Sequence, residues 1–318
     1  MPGIDHLFSN SYRPQPDLIP ERRRLRLSRP LDLGLTLAPL RRAGALDPCV
    51  RILPGEVWRA TRTPAGPATT HLVRSNGTLE VEAWGPGAEW ALEHAAVLCG
   101  ENDNEADFTP ADPLLKELHR RHPGLRMLRS EAVLEAALPT VLEQKVVGVE
   151  ARRAFRLIVA ALGEPAPGPA RLILPPSPAA LAKAPYWDLH RFGVEQRRAT
   201  VLKRLARSAR RLEEAAQMSP DQARHRLLAF PGLGEWSAAE IVRVALGDAD
   251  AVSLGDYHLP HVVSWALTGE PRGTDQRMLE LLEPFRPHRG RVQRLLEIAG
   301  VGPPRRGPRM PLRRIGRI

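Results

Sequence analysis

One short turn constrains the fold of this chain more than any other part of the sequence: Pro231-Gly232-Leu233-Gly234. It joins two segments with helical periodicity, Pro220 to Ala229 and Glu235 to Leu246. The glycines permit a tight turn and let another backbone come close. A helix-hairpin-helix of this kind presents N–H groups at the start of its second helix, where a phosphate binds. A turn that serves helix packing alone is the open alternative.

The composition favours a polyanionic partner. There are 46 Lys and Arg residues against 36 Asp and Glu, a net charge of +10 that comes mostly from arginine. Arginine binds phosphate in a forked geometry, and excess charge of this sign raises the expectation of nucleic acid. An Arg-rich proteome would give the same balance, so charge alone does not decide the partner.

Cysteine usage and hydropathy exclude several other classes of protein. The two cysteines, Cys49 and Cys99, are too few for a four-cysteine zinc or iron–sulfur site, and they indicate a reducing, cytoplasmic location. No apolar run is long enough to cross a membrane, and the N-terminus does not have the pattern of a signal peptide. We expect no cofactor and no membrane partner.

The pattern changes along the chain from β to helical, which predicts an α+β fold. Alternating residues on both sides of Asn76-Gly77 predict a β-hairpin, and short helices are expected over Pro39 to Ala45 and Glu89 to Leu98. The chain is divided into an Arg-rich, partly flexible lead-in (1–28), a β-rich N-terminal domain (29–111), an all-helical core (112–302) and a basic, flexible tail (303–318).

Within the helical part, Ser130 is predicted to cap a helix that Pro139 interrupts and that continues to Leu162. Helices are also expected to start at Ser177-Pro178 and at Ser219-Pro220, because serine caps a helix and proline suits its first turn. A last helix is predicted from Arg289 to Ala299.

One carboxylate, Asp256, stands out because it follows the hairpin and immediately precedes a predicted helix from Tyr257 to Leu267. It can act as the N-cap of that helix. It can also act as a fixed anion in catalysis, because a carboxylate at a helix start stays ionised at neutral pH. The two interpretations are compatible.

Three stretches carry a specific resemblance: Leu228 to Ala238, Leu254-Gly255-Asp256-Tyr257 and Val141 to Val146. Together they resemble the hairpin, Gly/Pro-rich loop and aspartate signature of the helix-hairpin-helix DNA glycosylases, and within these they resemble bacterial 3-methyladenine DNA glycosylase II most. The resemblance covers about Asp112 to Gly300. It implies a helical glycosylase core behind a small antiparallel domain, and double-stranded DNA as the partner of a nucleoid-associated enzyme.

The resemblance also implies roles for particular residues. Asp256 would be the catalytic carboxylate, and Trp236 and Tyr257 would line the base pocket, with core packing as the alternative. Glu240 stands where the family has another aromatic residue, so it either accepts a hydrogen bond from the base or points to solvent. Bifunctional members place a Schiff-base lysine where this chain has Trp236, which implies that water is the nucleophile.

DNA contacts are expected from the turn residues and from four further side chains. By resemblance, Gln144 and Lys145 lie where relatives fill the gap left by the flipped base. Arg289 and Arg291 belong to a basic run that is expected to touch phosphate, or else to form a solvated face. In this family, backbone carbonyls of the hairpin often hold a monovalent cation, which here would lie near Phe230 and Leu233.

The sequence therefore predicts a monofunctional DNA glycosylase that flips out a damaged purine and removes it by hydrolysis in base-excision repair. An alkylated purine is the leading substrate. Two alternatives stay open: a glycosylase for a deaminated base or a bulky adduct, and a non-catalytic helix-hairpin-helix DNA-binding protein.

Overall fold

The computed structural model describes residues 19–304, and their N-terminal part is a five-stranded antiparallel sheet in the order β1-β5-β4-β3-β2. The strands are β1 (Glu21–Arg26), β2 (Val50–Leu53), β3 (Glu56–Thr63), β4 (Gly66–Ser75) and β5 (Thr78–Trp84). The predicted hairpin is confirmed: Asn76 and Gly77 join β4 to β5 with φ angles of 42° and 76°. These are the positive φ angles that a type I′ turn requires.

Strand β1 is a correction to the predicted lead-in. The stretch Glu21–Arg26 is Arg-rich, yet it pairs along its whole length with β5 at the edge of the sheet. Arg22 Nε lies 2.8 Å from Glu82 Oε1 on the neighbouring strand. Charged side chains are common on edge strands, because they discourage pairing with another chain. The rest of the lead-in, 1–18, and the tail beyond 304 lie outside the described residues.

Short helices follow the outer strands and cover the sheet. They are α1 (Leu33–Leu37), α2 (Ala88–Glu93) and α3 (Ala95–Leu98). The helix expected over Pro39 to Ala45 is wrong, because Asp32 caps the chain earlier by accepting a hydrogen bond from Leu35 N at 2.8 Å. Only 3₁₀ turns occupy Ala38–Leu40 and Gly44–Leu46. Helix α2 packs on β4 and β5.

Twelve helices and a small ribbon make up the rest of the described chain. The helices are α4 (Pro113–Arg121), α5 (Val133–Glu143), α6 (Gly148–Leu162), α7 (Pro178–Lys183), α8 (Tyr186–Arg191), α9 (Gln196–Arg207), α10 (Ala209–Glu213), α11 (Pro220–Leu228), α12 (Glu235–Ala245), α13 (Leu259–Thr268), α14 (Asp275–Leu282) and α15 (Arg289–Ala299). Between α6 and α7, β6 (Glu164–Pro165) pairs with β7 (Ile173–Leu174). The α+β fold class is confirmed.

Helix α5 differs from its prediction at both ends. Its first N–H groups, those of Val133 and Leu134, donate to the Glu213 carboxylate at 2.8 Å, so Ser130 is not the cap. The helix continues through Pro139, because its buried side chains are packed against α6, α9 and α12, and this tertiary packing outweighs the lost backbone hydrogen bond. The interruption comes instead at Lys145, whose φ of 55° is left-handed.

The two Ser-Pro helix starts are confirmed. Ser177 Oγ accepts from Ala180 N at 3.1 Å at the beginning of α7. Ser219 and Gln222 form a reciprocal capping box at the beginning of α11, which is the first helix of the hairpin. The entry into the hairpin is therefore fixed by local side-chain hydrogen bonds.

Two hydrophobic cores meet near Asp256. The larger core holds the buried side chains of the sheet and of α5, α6, α9, α11 and α12. The second core lies between α4, α13, α14 and α15, around residues such as Val263 and Met278. The segment from α12 to α13 passes from one core to the other, and Asp256 lies near its end. The two cores therefore fix the carboxylate from both sides.

Both cysteines are buried as free thiols, and burial raises the pKa of Cys99 to about 12. Across residues 19–304, no helix combines the length and the apolar character that crossing a membrane requires.

Candidate active site

The hairpin turn packs tightly on one side and is open on the other. Gly232 has a φ of 104°, and a Cβ atom there would lie 2.2 Å from Val201 Cγ2 on α9. Gly234 has nothing within 4 Å of such an atom and is exposed. Gly232 is thus needed for the backbone conformation and for contact with α9, whereas Gly234 leaves the start of α12 accessible to a ligand.

Two side chains hold the turn from outside. Gln144 donates from Nε2 to Gly232 O at 3.0 Å and to Ser237 Oγ at 2.9 Å. Arg204 on α9 donates from Nη1 to Pro231 O at 2.8 Å. Gln144 therefore fixes the α5–α6 loop against the hairpin. The next residue, Lys145, is exposed on that loop.

Asp256 accepts hydrogen bonds on both of its carboxylate oxygens. Oδ2 accepts from Trp236 Nε1 at 3.1 Å, and Oδ1 accepts from His258 N at 2.7 Å and Leu259 N at 2.8 Å. The last two bonds cap the start of α13, so the capping interpretation of Asp256 holds. Hydrogen bonds to a carboxylate favour its charged form. The structure thus joins the first turn of α12 to the start of α13 through one half-buried anion.

The three residues predicted for the base pocket have different environments. Trp236 is half-buried, and its ring is oriented by the bond to Asp256. Tyr257 is 78% exposed and touches only the edge of the His258 ring, so it is not a core residue. Glu240 is buried, one turn of α12 beyond Trp236, so the interpretation in which it points to solvent is wrong.

Glu240 belongs to a buried polar network that sequence reasoning missed. Ser253 Oγ donates to Glu240 Oε1, and Gln293 Nε2 donates to Ser253 Oγ at 3.3 Å and to Glu297 Oε1 at 2.9 Å. The network adjoins Asp256, since Asp256 N donates to Ser253 O at 3.3 Å. The spacing of Gln293 and Glu297, four residues apart on one helix, is the signal that could have indicated it.

Arg243 supplies the positive charge of this network. Its Nη1 lies 3.1 Å from Glu297 Oε1 and 3.6 Å from Glu240 Oε1. Burial lowers the pKa of Arg243, and the carboxylates of Glu240 and Glu297 raise it by more, so the pKa stays above its usual value. The cation is permanent, and it offsets the cost of burying the carboxylates beside Asp256.

Comparison with known proteins gives the fold. No protein-family model matches the chain, and no curated protein sequence matches it. Among solved structures, it is similar to a 3-methyladenine DNA glycosylase from Archaeoglobus fulgidus, with 20% identity, a TM-score of 0.73 and coverage of 87% of this chain and 97% of that one. The chain has the fold of the helix-hairpin-helix DNA glycosylases.

Two further structures share this glycosylase fold. One is an 8-oxoguanine glycosylase/lyase from Clostridium acetobutylicum in complex with double-stranded DNA, with 15% identity, a TM-score of 0.67 and coverage of 87% and 96%. The other is a 3-methyladenine DNA glycosylase from Schizosaccharomyces pombe in complex with abasic DNA, with 18% identity, a TM-score of 0.52 and coverage of 62% and 96%. The resemblance to the superfamily is confirmed at the level of fold.

The basic run near α15 is a correction within this glycosylase fold. Arg291 is 1% exposed and paired with Asp103, so its predicted contact with phosphate is wrong. Arg289 donates from Nε and Nη2 to the Asp250 carboxylate, at 2.9 and 2.6 Å. Both guanidinium groups therefore tie elements of the protein together. The run looked basic only because its acidic partners are distant in sequence.

The predicted monovalent cation at the hairpin stays a prediction. The Phe230 carbonyl accepts from Leu233 N at 3.0 Å, and the adjoining Pro231 carbonyl accepts from the Arg204 guanidinium. No group of three or more His, Cys, Asp or Glu residues within 19–304 is arranged to hold a metal ion. A cation at the turn would have to coordinate backbone carbonyls beside the positive charge of Arg204.

Two cavities lie away from Asp256. One, of about 40 Å³, is enclosed between the sheet and α5 and is lined by Cys49 and Glu135 among others. The other, a groove of about 710 Å³, lies between Arg29, Phe108 and His119. The candidate active site is therefore defined by hydrogen bonds and charge rather than by either cavity.

Proposed function

We propose that this protein is a monofunctional DNA glycosylase that flips a damaged, alkylated purine out of duplex DNA and removes it by hydrolysis. The observation that carries the proposal is the position of Asp256. Its carboxylate is held by the Trp236 indole and by two N–H groups at the start of α13, and it lies next to the first turn of the hairpin's second helix.

A fixed carboxylate suits the chemistry of base excision. When the bond between base and sugar breaks, positive charge develops on C1′. An anion held by preorganised hydrogen bonds stabilises that charge without having to reorganise during the reaction. The same carboxylate can orient the attacking water and accept its proton. Asp256 would do both, with Trp236 and α13 fixing its two oxygens.

The residue at the nucleophile position supports hydrolysis. Lyase chemistry needs an amine that forms a Schiff base with the sugar. Trp236 stands where the bifunctional relatives have that lysine, and its indole nitrogen donates to Asp256 rather than acting as a nucleophile. Water is then the nucleophile, and the product is an abasic site. The reaction needs no cofactor.

DNA binding would use the exposed side of the hairpin. The N–H groups at the start of α12 are open beside Gly234 and can bind a phosphate. Lys145, on the loop that Gln144 ties to the turn, would fill the gap left by the flipped nucleotide. We also propose that residues 112–302 form the catalytic core and residues 29–111 an accessory domain.

Base recognition would come from aromatic faces and one buried acid. The Trp236 ring and the exposed Tyr257 ring can stack on a cationic alkylated purine, which cation–π attraction favours. Glu240 adds negative charge one helical turn further along α12, which suits a positively charged base. This surrounding supports an alkylated purine as the leading substrate.

The test is base release from methylated duplex DNA by wild type and by Asp256→Asn, with DNA affinity measured in parallel. We expect wild type to release 3-methyladenine or 7-methylguanine, and the variant to bind DNA with similar affinity and release neither base. If the variant releases base as fast as wild type, the role of Asp256 is refuted. If both proteins bind DNA and neither releases any base from a wide lesion panel, the protein is a binding module.

A second candidate is a glycosylase for another class of lesion, such as a deaminated base. The hydrogen-bonded set of Glu240, Ser253 and Gln293 favours it, because carboxylate, hydroxyl and amide groups can read the polar edge of a neutral base. Duplexes that each contain one lesion, either hypoxanthine, uracil or 3-methyladenine, would separate the candidates. Release of hypoxanthine or uracil but not of 3-methyladenine would favour the second.

A further inference from the structure

The exposed face of α9 is basic along its whole length. Its buried residues occupy one side of the helix, and the exposed or half-exposed ones occupy the other. That second side is made of Gln196, Arg197, Thr200, Lys203, Arg204 and Arg207. It contains no acidic residue. We call Arg197, Lys203, Arg204 and Arg207 the basic ridge.

Three members of the basic ridge have no partner among residues 19–304: Arg197, Lys203 and Arg207 make no ion pair and no side-chain hydrogen bond there. Surface arginines elsewhere are paired. Arg120 and Arg121 both contact Glu117 at 2.8 and 2.7 Å, and Arg277 contacts Glu270 at 2.7 Å. Concentrating unpaired charge of one sign on one helix creates a positive potential that attracts a polyanion.

The basic ridge is continuous with the hairpin turn. Gly232 approaches α9 at Val201, which lies between the ridge residues in the sequence of the helix. Arg204, a member of the ridge, is the residue that donates to Pro231 O. Any DNA strand that has a phosphate on the hairpin N–H groups therefore passes close to α9.

We propose that the basic ridge binds the backbone of duplex DNA that flanks the excision site, beyond the phosphates held by the hairpin. From Arg197 to Arg207 the helix rises by about 15 Å. Along a duplex this is the length of about four base pairs, at 3.4 Å per phosphate of one strand. The inference rests on the proposed function only in requiring that the protein binds duplex DNA.

The first experiment removes the three unpaired charges with Arg197→Gln, Lys203→Gln and Arg207→Gln in one variant. Arg204 stays, because it also holds the turn. The matched control is Arg120→Gln, Arg121→Gln and Arg277→Gln, which lowers the net charge by the same amount at residues that already have acidic partners. The probe is an undamaged, fluorescein-labelled 24-base-pair duplex, and its anisotropy gives the affinity between 50 and 200 mM KCl.

The ridge variant is expected to lose about 0.9 of the logarithmic salt slope per phosphate contact, hence about 2 to 3 in total. Binding at 150 mM KCl would weaken by up to about 100-fold. The control is expected to keep the slope of wild type. If the ridge variant keeps both slope and affinity, or if the control loses as much, the proposal is wrong and the ridge faces some other partner.

A second measurement uses duplex length, which does not depend on how well either variant folds. On a 10-base-pair duplex with the site at its centre, the flanking DNA is too short to cover the ridge, and the ridge variant and wild type should bind alike. A difference that persists at 10 base pairs would place the ridge at the site itself and overturn the proposal. Loss of ridge-dependent binding with base release intact refutes this inference alone, and the reverse outcome refutes the proposed function alone.

Discussion

Replacing Gly232 by alanine is expected to destabilise the protein by about 3 kcal/mol, whereas Gly234→Ala should change stability by less than about 0.5 kcal/mol. The two glycines lie in the same turn, two residues apart, so each is the natural control for the other. The difference comes from what a methyl group would meet at each position, and from the φ angle at Gly232.

Two terms oppose alanine at Gly232. A residue with a side chain at a φ of 104° is strained by about 1–3 kcal/mol. The added Cβ would also lie 2.2 Å from Val201 Cγ2, and relieving such an overlap in a packed interior costs about 1–3 kcal/mol more. Alanine gains back about 0.4–1 kcal/mol because it restricts the unfolded chain. At Gly234 there is neither a positive φ nor a neighbour within 4 Å.

Thermal unfolding followed by circular dichroism measures the effect. With an unfolding entropy of about 2.1 cal/mol/K per residue, a loss of 3 kcal/mol in a chain of this size lowers Tm by about 5 °C. Gly234→Ala should keep the Tm of wild type but weaken DNA binding, since its Cβ would occupy the open surface where a phosphate approaches.

The steric part can be isolated with Val201→Ala. Val201 is buried, so the single change should cost about 1–3 kcal/mol. The double variant Val201→Ala, Gly232→Ala should be more stable than the sum of the two losses by about 1–2 kcal/mol, because the overlap is gone and only the strain remains. An unchanged Tm for Gly232→Ala, or strictly additive losses in the double variant, would refute this account of the turn.

Two further predictions concern buried acids. Burial raises the pKa of Glu213 to about 7 from 4.5, against the lowering effect of its bonds to Leu134 N and Val133 N. The folded state then binds more protons between these values, so stability should fall by about 3 kcal/mol as pH rises from 4.5 to 7. Glu213→Gln should remove this part of the pH dependence, as measured by Tm at pH 5 and pH 8. Asp103→Ala should cost about 3–5 kcal/mol in urea unfolding, because it leaves Arg291 buried without its partner. A loss below 1 kcal/mol would mean that Arg291 finds water or another acceptor.

The parts of the fold that could be predicted are those encoded by neighbouring residues. Asn76-Gly77 requires the positive φ angles that the hairpin has, and Ser219 caps α11 through residues at most three positions away. The glycines of the hairpin turn and the helix that follows Asp256 are signals of the same local kind. In each case the cause and the structure lie within a few residues of each other.

The parts that could not be predicted depend on distant partners. Arg291 reads as a surface residue because its partner, Asp103, is 188 positions away. Glu213 caps α5 from 80 positions downstream, which is why Ser130 looked like the cap. For Glu240, the sequence gave two possible orientations, and only packing of α12 against the segment with Ser253 decided between them.

Asp256 combines a local and a distant role, and this determines how its charge must be tested. Oδ1 holds two N–H groups of α13, and Oδ2 holds the Trp236 indole from the other side of the site. Alanine would remove the cap as well as the charge, at a cost of about 1 kcal/mol, so a loss of activity would have two explanations. Asparagine keeps an oxygen for the α13 N–H groups and removes only the negative charge. Since the proposed chemistry needs the charge and the fold needs only the acceptor, Asp256→Asn should keep the Tm of wild type while base release is lost.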